Sequence, residues 1–433
     1  MRIKIDKKII IMAMFFILLF LSFWKNFFGI VNQEEFIDFG TYSDRYPVMD
    51  LIHTDIFGKN TMFYSVRNNV NQVGEWTFGE SADILINQKY DGLTGDDFKV
   101  YYSQIGLGSI LYSIIFFIFG NALSIKAITL FTALMNTTSI FIVIVWLQKK
   151  TNFLTGLAVI SFVIFLSPDL IKYGRTFYWV LWTWFIPMIS SIYVLGSKTY
   201  KSKHKYLWSG FITFAACLFR FMFNYEFVSV VLIAMICPYI YYYLKKCSFS
   251  KKKTKLKVLN GIKLLGAPTV GGIIAFIVSF IIKVIELFLI SQSWKEAFKL
   301  SQEASSEAIK HSDISNLETI KLYLTTQWLE IGNIKITYAG LIILCTLIIV
   351  VCLAIIFYKE KTIRKYIPLS ITTLFSFCAP ISWMILATVH CFYPIHGIYI
   401  ITLWYVPSLL FLVATTFYLS INVVILLCNK NGE

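Results

Sequence analysis

Charged residues are scarce in this chain of 433 residues, since acidic and basic residues together make up only 15% of it. Hydrophobic residues make up 57%, and the mean hydropathy is +0.69. A soluble chain could not hide from water the long apolar runs that separate the charged clusters. A helix needs about 20 apolar residues to cross a bilayer, and runs of this length recur throughout. The composition excludes an ordinary soluble protein and predicts an all-α polytopic membrane protein.

Motifs for nucleic-acid binding, disulfide frameworks and zinc are also missing. A net charge of +15 would suggest nucleic acid in a soluble protein, but here the lysines fall between apolar runs. That placement is typical of cytoplasmic loops that face anionic lipid headgroups. The eight cysteines are scattered, mostly inside apolar runs, without CxxC or Cys/His spacing. We therefore predict no nucleic-acid partner, no external disulfide and no zinc site.

The N-terminus lacks the small-residue cleavage site that would follow a signal peptide. Basic residues precede an apolar run over 9–23, and bulky residues follow it. We predict that 1–28 is retained as the first transmembrane helix, with the N-terminus in the cytoplasm.

Charge divides the chain into segments on opposite sides of the membrane. The segments 198–205, 245–263 and 359–365 are strongly basic and are predicted to be cytoplasmic. The segment 29–102 holds twelve acidic residues against five basic ones, which predicts an extracytoplasmic loop. The predicted organisation is as follows: first transmembrane helix 1–28, acidic extracytoplasmic loop 29–102, transmembrane helices 103–290, second extracytoplasmic loop 291–336, and C-terminal transmembrane helices 337–433.

The number of spans depends on the region that follows the acidic loop. Apolar runs at 104–120, 123–147 and 152–171 would make three crossings and leave 168–176 in the cytoplasm, whereas the lysine-rich loops require it outside. An even number is needed. Either the run 123–147 forms two short crossings or a re-entrant pair, or one neighbouring run does not cross. The total is then about 10–12 transmembrane helices, with both termini cytoplasmic.

The candidate catalytic residues are carboxylates near the start of the acidic loop. Glu34, Glu35 and Asp38 come directly after the predicted membrane exit, and Asp44 follows. A carboxylate at the membrane surface can act as a general base on an acceptor hydroxyl, or can hold a metal. The alternative is a solvated loop that is acidic only because it lies outside. Interleaved aromatic residues and glycines favour a small folded site that stacks on a sugar ring.

Three charged residues near short external turns are predicted to bind substrate. Arg175, close to Lys172, suits a phosphate at the lipid interface because a guanidinium is always charged and binds in a bidentate manner. Arg220 and Glu226 bracket an aromatic turn at membrane depth, where ionisable groups are costly unless they are paired or wet. The alternative for these two residues is a structural pair that closes the turn.

Two of the five histidines, His390 and His396, fall at another predicted external turn. They are six residues apart with a proline between them, which is not the i,i+4 spacing of a helical zinc site. His390 can bind a leaving phosphate or transfer a proton. A capping or interface role is the alternative for each histidine.

The layout around these residues resembles a known family. The stretch 101–107, with Tyr102 and Gln104, leaves the acidic loop for the next apolar run, a basic break follows at 148–150, and an external turn follows at 167–175. This order resembles the GT-C superfamily of polyprenyl-phosphate-sugar-dependent membrane glycosyltransferases, of the type that serves bacterial surface polysaccharides.

The resemblance implies an inverting sugar transfer on the extracytoplasmic face of a bacterial inner membrane. The donor is a lipid-linked sugar, and the acceptor is a cell-envelope glycan, glycolipid or protein. One of Glu34, Glu35, Asp38 and Asp44 activates the acceptor, and arginine and histidine side chains stabilise the departing lipid phosphate. Tyr102 and Gln104 join the substrate-binding set. No cofactor is predicted, with a divalent metal as the alternative.

Two other function classes compete with this one. A polysaccharide polymerase or ligase would also use lipid-linked glycans, but its large loop would come late in the chain. A lipid-linked oligosaccharide transporter, or flippase, would carry charges in mid-span, and Lys283 and Glu286 are the candidates for that role. No internal repeat supports the transporter.

Overall fold

The computed structural model describes residues 6–37, 42–58, 65–67, 77–100, 105–197, 204–249, 254–309, 315–331, 333–388, 391 and 399–428. It confirms the predicted class, because eight of the described helices are long and apolar enough to cross a membrane. In chain order the helices are α1 (Lys7–Lys25), α2 (Gln33–Ile37), α3 (Arg45–Phe57), α4 (Phe78–Asn87), α5 (Leu107–Lys150), α6 (Phe153–Leu166), α7 (Pro168–Tyr173), α8 (Leu181–Gly196), α9 (Lys205–Phe223), α10 (Val228–Phe249), α11 (Thr254–Ser291), α12 (Trp294–Ile309), α13 (Asn316–Thr325), α14 (Tyr338–Glu360), α15 (Ile367–Ser376), α16 (Cys378–Leu386) and α17 (Ser408–Cys428).

Two short antiparallel sheets accompany the helices, a feature that the all-α prediction did not include. In the first loop, β1 (Ser65–Arg67) pairs with β2 (Phe98–Val100), with Val66 opposite Lys99. In the second loop, β3 (Gln327–Ile331) pairs with β4 (Ile334–Thr337) as a hairpin that leads directly into α14. Both predicted extracytoplasmic segments therefore contain folded structure.

Eight long candidate spans lie in the described part of the chain. The eight are α1, α5, α9, α10, α11, α14, the pair α15–α16, and the segment 399–428 that contains α17. The helices α6 and α8 are apolar but have only 14 and 16 residues. Counting these two as short crossings brings the total among the described residues to ten, within the predicted range of 10–12.

A kink at Gly120 explains why one apolar run does not add a crossing. The helix α5 contains residues 107–120 of the first run and all of the run 123–147, and it is kinked where Gly120 adopts φ 69° and ψ 178°. The part of α5 before the kink is about 20 Å long at 1.5 Å per residue, too short for a hydrocarbon core of about 30 Å. One of its faces packs on α3 and α4, while Phe117 and Ile118 are exposed. This geometry favours the alternative in which the run 104–120 does not cross.

Replacing Gly120 with alanine is expected to destabilise the protein by about 1–3 kcal/mol, because a side chain is strained in this region of φ/ψ space. A Cβ atom at this position would meet nothing within 4 Å, so the backbone alone sets the cost. Gly266, in α11, also has open space around a Cβ but no positive φ. Gly266→Ala is therefore the matched control, and thermal unfolding in detergent should show a lower midpoint for Gly120→Ala only. Equal midpoints for the two variants would contradict the strained kink.

A cluster of aromatic rings in the largest hydrophobic cluster of the described residues packs beneath the turn between α7 and α8. The rings of Trp184 and Phe227 lie 4.6 Å apart, and those of Trp179 and Tyr399 lie 4.9 Å apart. Trp383 of α16 closes the cluster at 5.2 Å from Phe227. Rigid, fully packed rings of this kind fix the backbone that passes over them, here the turn between α7 and α8.

Candidate functional site

The turn over 174–180, between α7 and α8, lies at the centre of the candidate site. Gly174 permits a close approach to α1, because a Cβ atom there would overlap the ring of Phe23. The Asn136 side chain of α5 donates a hydrogen bond of 2.7 Å to the carbonyl oxygen of Gly174. The turn is therefore held against both α1 and α5 by contacts that a larger residue would break.

Asp44 attaches the acidic first loop to this turn. Its Oδ1 atom accepts hydrogen bonds of 2.8 Å from the backbone N–H groups of both Phe177 and Tyr178. The Asp44 side chain is only 2% exposed, so these two bonds lie out of water. A buried carboxylate that accepts two N–H groups is a strong positional link. Asp44, predicted as a catalytic base, is therefore at least a positioning residue for the turn.

Arg175 lies in the same turn and has unused hydrogen-bonding capacity. Its guanidinium stacks 4.3 Å above the centre of the Phe36 ring, and within the described residues it makes no hydrogen bond. Burial lowers the pKa of Arg175 from its usual value, and the negative charge of Asp44 opposes that effect. A guanidinium stays protonated in proteins and carries five N–H donors. An arginine with open donors beside a carboxylate is therefore suited to hold an anionic ligand.

A groove is lined by residues of α1, α2 and α5 together with Arg175, and we call it the α1–α5 groove. Its volume is about 830 Å³ and its surface is mainly apolar. The residues that line it are Trp24, Lys25, Gln33, Phe36, Ile115, Phe119, Leu123, Ile125, Lys126, Ala127, Thr129, Leu130, Phe131, Leu134 and Arg175. Three of them are cations and none is an acid. The combination fits an anionic headgroup attached to an apolar chain.

The walls of this groove are open to the side of the helix bundle. Phe119, Leu123, Leu130 and Leu134 are each between 41% and 52% exposed. In a transmembrane protein such an exposed apolar face contacts lipid tails rather than water. A lipid can therefore enter the α1–α5 groove laterally from the bilayer.

Tyr173, at the end of α7, shows that several of the predicted site residues come together. Burial raises the pKa of Tyr173 well above its usual value, and Tyr399, Glu226 and Asp44 raise it further, while Arg220 opposes them. Charges act on a pKa only over a limited distance. Asp44, Arg220 and Glu226 are far apart in the sequence, yet each lies near enough to this buried phenol to affect its pKa.

Arg220 makes contacts that fit the structural alternative. It is fully buried, and its Nη1 and Nη2 atoms each donate a 3.0 Å hydrogen bond, to the carbonyl oxygens of Asn224 and Glu226 respectively. These bonds satisfy carbonyl groups of the turn that follows α9. The contacts are to backbone atoms, so Arg220 closes the turn between α9 and α10. A role in substrate binding stays a prediction for both Arg220 and Glu226.

The two acidic residues of α2 lie at the surface. Glu34 is exposed, and the Glu35 carboxylate forms an ion pair with the ammonium group of Lys172 in α7. Because the Glu35 side chain is more than half exposed, the pair contributes little to stability. It does place α2 directly against α7, next to Arg175.

Five predicted site residues lie outside the described part of the chain: Asp38, Tyr102, Gln104, His390 and His396. Their roles stay predictions. Cys391, which follows His390, is buried, and its carbonyl oxygen accepts a hydrogen bond from Tyr323 of α13. This contact connects the chain next to His390 to the second loop.

Four functional candidates were missed by the sequence reasoning. Lys25 and Lys126 line the α1–α5 groove, Asp50 is fully buried with the Ser109 hydroxyl on its carboxylate, and Asp169 lies at the start of α7. Lys25 and Asp169 each sit at the end of an apolar run, and that position was the available signal. No sequence pattern distinguishes Asp50 from the exposed acids around it.

The described residues offer no set of ligands for the divalent metal considered as an alternative. Among the residues that the structure describes, no group of three or more His, Cys, Asp or Glu side chains is placed to hold a metal ion. The charge at the site is instead supplied by Arg175 and the two lysines of the groove.

The comparisons with known proteins add no family assignment to this geometry. The resemblance to glycosyltransferases is therefore one of layout, carried by the order of segments. No protein-family model, no curated protein and no solved structure matches this chain.

Proposed function

We propose that this protein is a membrane glycosyltransferase that moves a sugar from a polyprenyl-phosphate donor to a glycan, glycolipid or protein acceptor of the cell envelope. The observation that carries the proposal is Arg175, whose guanidinium has open donors and lines an apolar groove with lipid-exposed walls. A phosphate attached to a long isoprenoid chain matches both parts of this site. Arg175 binds the phosphate, and the apolar wall binds the chain.

The position of the groove also suits the chemistry. In sugar transfer from a lipid phosphate, negative charge grows on the phosphate oxygen as the bond to the sugar breaks. Fixed positive charges aimed at that oxygen stabilise the transition state more than the ground state. Arg175 is supported in this role by Lys25 and Lys126 at the exposed edge of the groove. The sugar would then lie on the side of the first loop, near Asp44.

The proposed activity predicts that purified protein in liposomes releases polyprenyl phosphate from polyprenyl-phosphate hexoses or N-acetylhexosamines. Envelope glycan extracts and alkyl glycosides serve as acceptors, and the released lipid and the extended acceptor are both measured. Turnover of one donor, with transfer to an acceptor, is expected. Donors that stay intact in every combination would reject the transferase. Extension of an acceptor by whole oligosaccharides, rather than by single sugars, would instead identify a polymerase or ligase.

A buried ion pair is the one observation that favours a transporter as the second candidate. Lys283 and Glu286 lie in α11, a candidate span, with Nζ and Oε2 4.0 Å apart and both side chains almost fully buried. Ionisable groups at such a depth are functional candidates in membrane proteins. The test is the variant Glu286→Gln in liposomes. If the protein is a transporter, this variant should no longer move lipid-linked oligosaccharide across the membrane. If the protein is a transferase, the variant should turn over the donor as wild type does.

A further inference from the structure

Asp169 occupies a junction between three parts of the protein that are distant in the sequence. It lies in the first turn of α7, next to the ion pair between Lys172 and Glu35 of α2. Its Oδ2 atom accepts a 2.6 Å hydrogen bond from the hydroxyl of Tyr338, the first residue of α14. The Tyr338 hydroxyl in turn lies 3.4 Å from that of Tyr405. The Asp169 carboxyl group therefore contacts the start of α14 and lies near the ion pair that joins α7 to the first loop.

The second oxygen of Asp169 is available to a ligand. Within the described residues, Oδ1 makes no hydrogen bond, and the side chain is half-buried rather than enclosed. Asp44 differs, because its Oδ1 is held by two backbone N–H groups and almost none of its surface is accessible. A proton acceptor needs one oxygen fixed for orientation and another that can reach the reacting hydroxyl. Asp169 meets both conditions.

The surroundings of Asp169 also suit proton transfer. Burial raises its pKa above the usual carboxyl value, the Tyr338 hydrogen bond and the Lys172 charge lower it, and Glu35 raises it again. Those three groups, together with Tyr405, are the titratable side chains that act on this carboxyl among the described residues. A carboxylate with a raised pKa is a stronger base than a solvated one.

We propose that Asp169 is the general base of the reaction and takes the proton from the hydroxyl group of the acceptor glycan. The proposal rests on the transferase activity proposed above. The acceptor O–H bond breaks, its proton moves to Oδ1, and the acceptor oxygen bonds to the anomeric carbon of the sugar. The bond from that carbon to the phosphate oxygen breaks, and its electron pair leaves with the lipid phosphate. Arg175 lies in the turn that directly follows α7 and is the residue proposed above to bind that phosphate.

The test compares Asp169→Asn with wild type in the liposome assay, together with polyprenyl-phosphate binding. The asparagine variant is expected to lose transfer by about 100-fold or more while it binds the lipid phosphate as wild type does. Unchanged binding shows that the variant is folded. Asp169→Glu keeps a carboxylate and is expected to retain part of the activity, so it keeps the proposal testable if the asparagine variant fails to fold.

A pH profile separates proton transfer from a structural role. The base must be ionised, so transfer should rise with pH through the pKa of Asp169 and then level off. Tyr338→Phe removes a hydrogen bond that favours the ionised form, so the rising limb should move to higher pH. Two results would overturn the role of Asp169 but not the transferase: a transfer rate in Asp169→Asn equal to that of wild type, or a pH profile in Tyr338→Phe that rises at the same pH as in wild type. Absence of turnover in wild type with every donor would overturn both.

Discussion

Replacing Arg175 with glutamine is expected to reduce sugar transfer by about 100- to 1,000-fold, a typical loss when one donor that stabilises transition-state charge is removed. The guanidinium is the only group at its end of the α1–α5 groove, among the described lining residues, that offers a charged fork to phosphate. Glutamine keeps much of the length and polarity but removes the charge. The measurement is the initial rate of polyprenyl-phosphate release at saturating donor.

Two further variants test whether the charge and the shape of the Arg175 side chain cause the effect. Arg175→Lys keeps the charge but loses the planar fork, so an intermediate loss is expected. Arg364 is an exposed arginine on the predicted cytoplasmic side, and Arg364→Gln should leave the rate unchanged. Direct binding of polyprenyl phosphate, read as a rise in the thermal unfolding midpoint, should also weaken in Arg175→Gln. Wild-type binding and rate in that variant would remove the groove from the mechanism.

Replacing Asp44 with alanine is expected to detach the first loop from the turn between α7 and α8. The substitution leaves the buried N–H groups of Phe177 and Tyr178 without their acceptor. An unsatisfied buried donor costs about 1–3 kcal/mol, so the loss of both is a large fraction of a typical folding free energy. A lower thermal unfolding midpoint and faster proteolysis of the segment 29–102 are the expected results.

Variants of matched chemistry distinguish the hydrogen bonds of Asp44 from its charge. Asp44→Asn keeps an acceptor oxygen, so it should be more stable than Asp44→Ala, while the loss of charge beside Arg175 lowers transfer. Asp91 is an exposed acid of the same loop, and Asp91→Ala should leave the unfolding midpoint unchanged. If Asp44→Ala unfolds and digests as wild type does, the attachment of the loop to this turn is wrong.

The sequence predicted the membrane layout because that layout follows from local composition. Apolar runs must be about as long as the bilayer is thick, and lysine-rich breaks such as 245–263 mark one side of it. The structure confirmed the helical class and long apolar helices near the predicted positions, and it showed that both predicted loops contain folded elements. The sequence also predicted that an even number of crossings follows the acidic loop, but it did not show which apolar run fails to cross.

The sequence did not identify which apolar run fails to cross, since hydropathy does not report direction. Gly120 ends a straight helix through its φ and ψ values, and glycines inside other helices, such as Gly266, do not. Only a backbone in three dimensions shows that the run 104–120 turns under the first loop.

In the candidate site, too, local composition predicts the membrane layout, while the contacts between distant residues are seen only in the structure. Local composition predicts that Asp44 lies in an external loop and that Arg175 lies near an external turn. The three-dimensional packing shows that Asp44 is fixed by backbone N–H groups 133 and 134 residues away and that Arg175 lines a groove with open donors. It also shows that Asp169 has one oxygen without a hydrogen bond among the described residues. Burial and hydrogen bonding depend on which distant segments pack together, and a carboxylate in a sequence looks the same whether it is solvated, anchored or reactive.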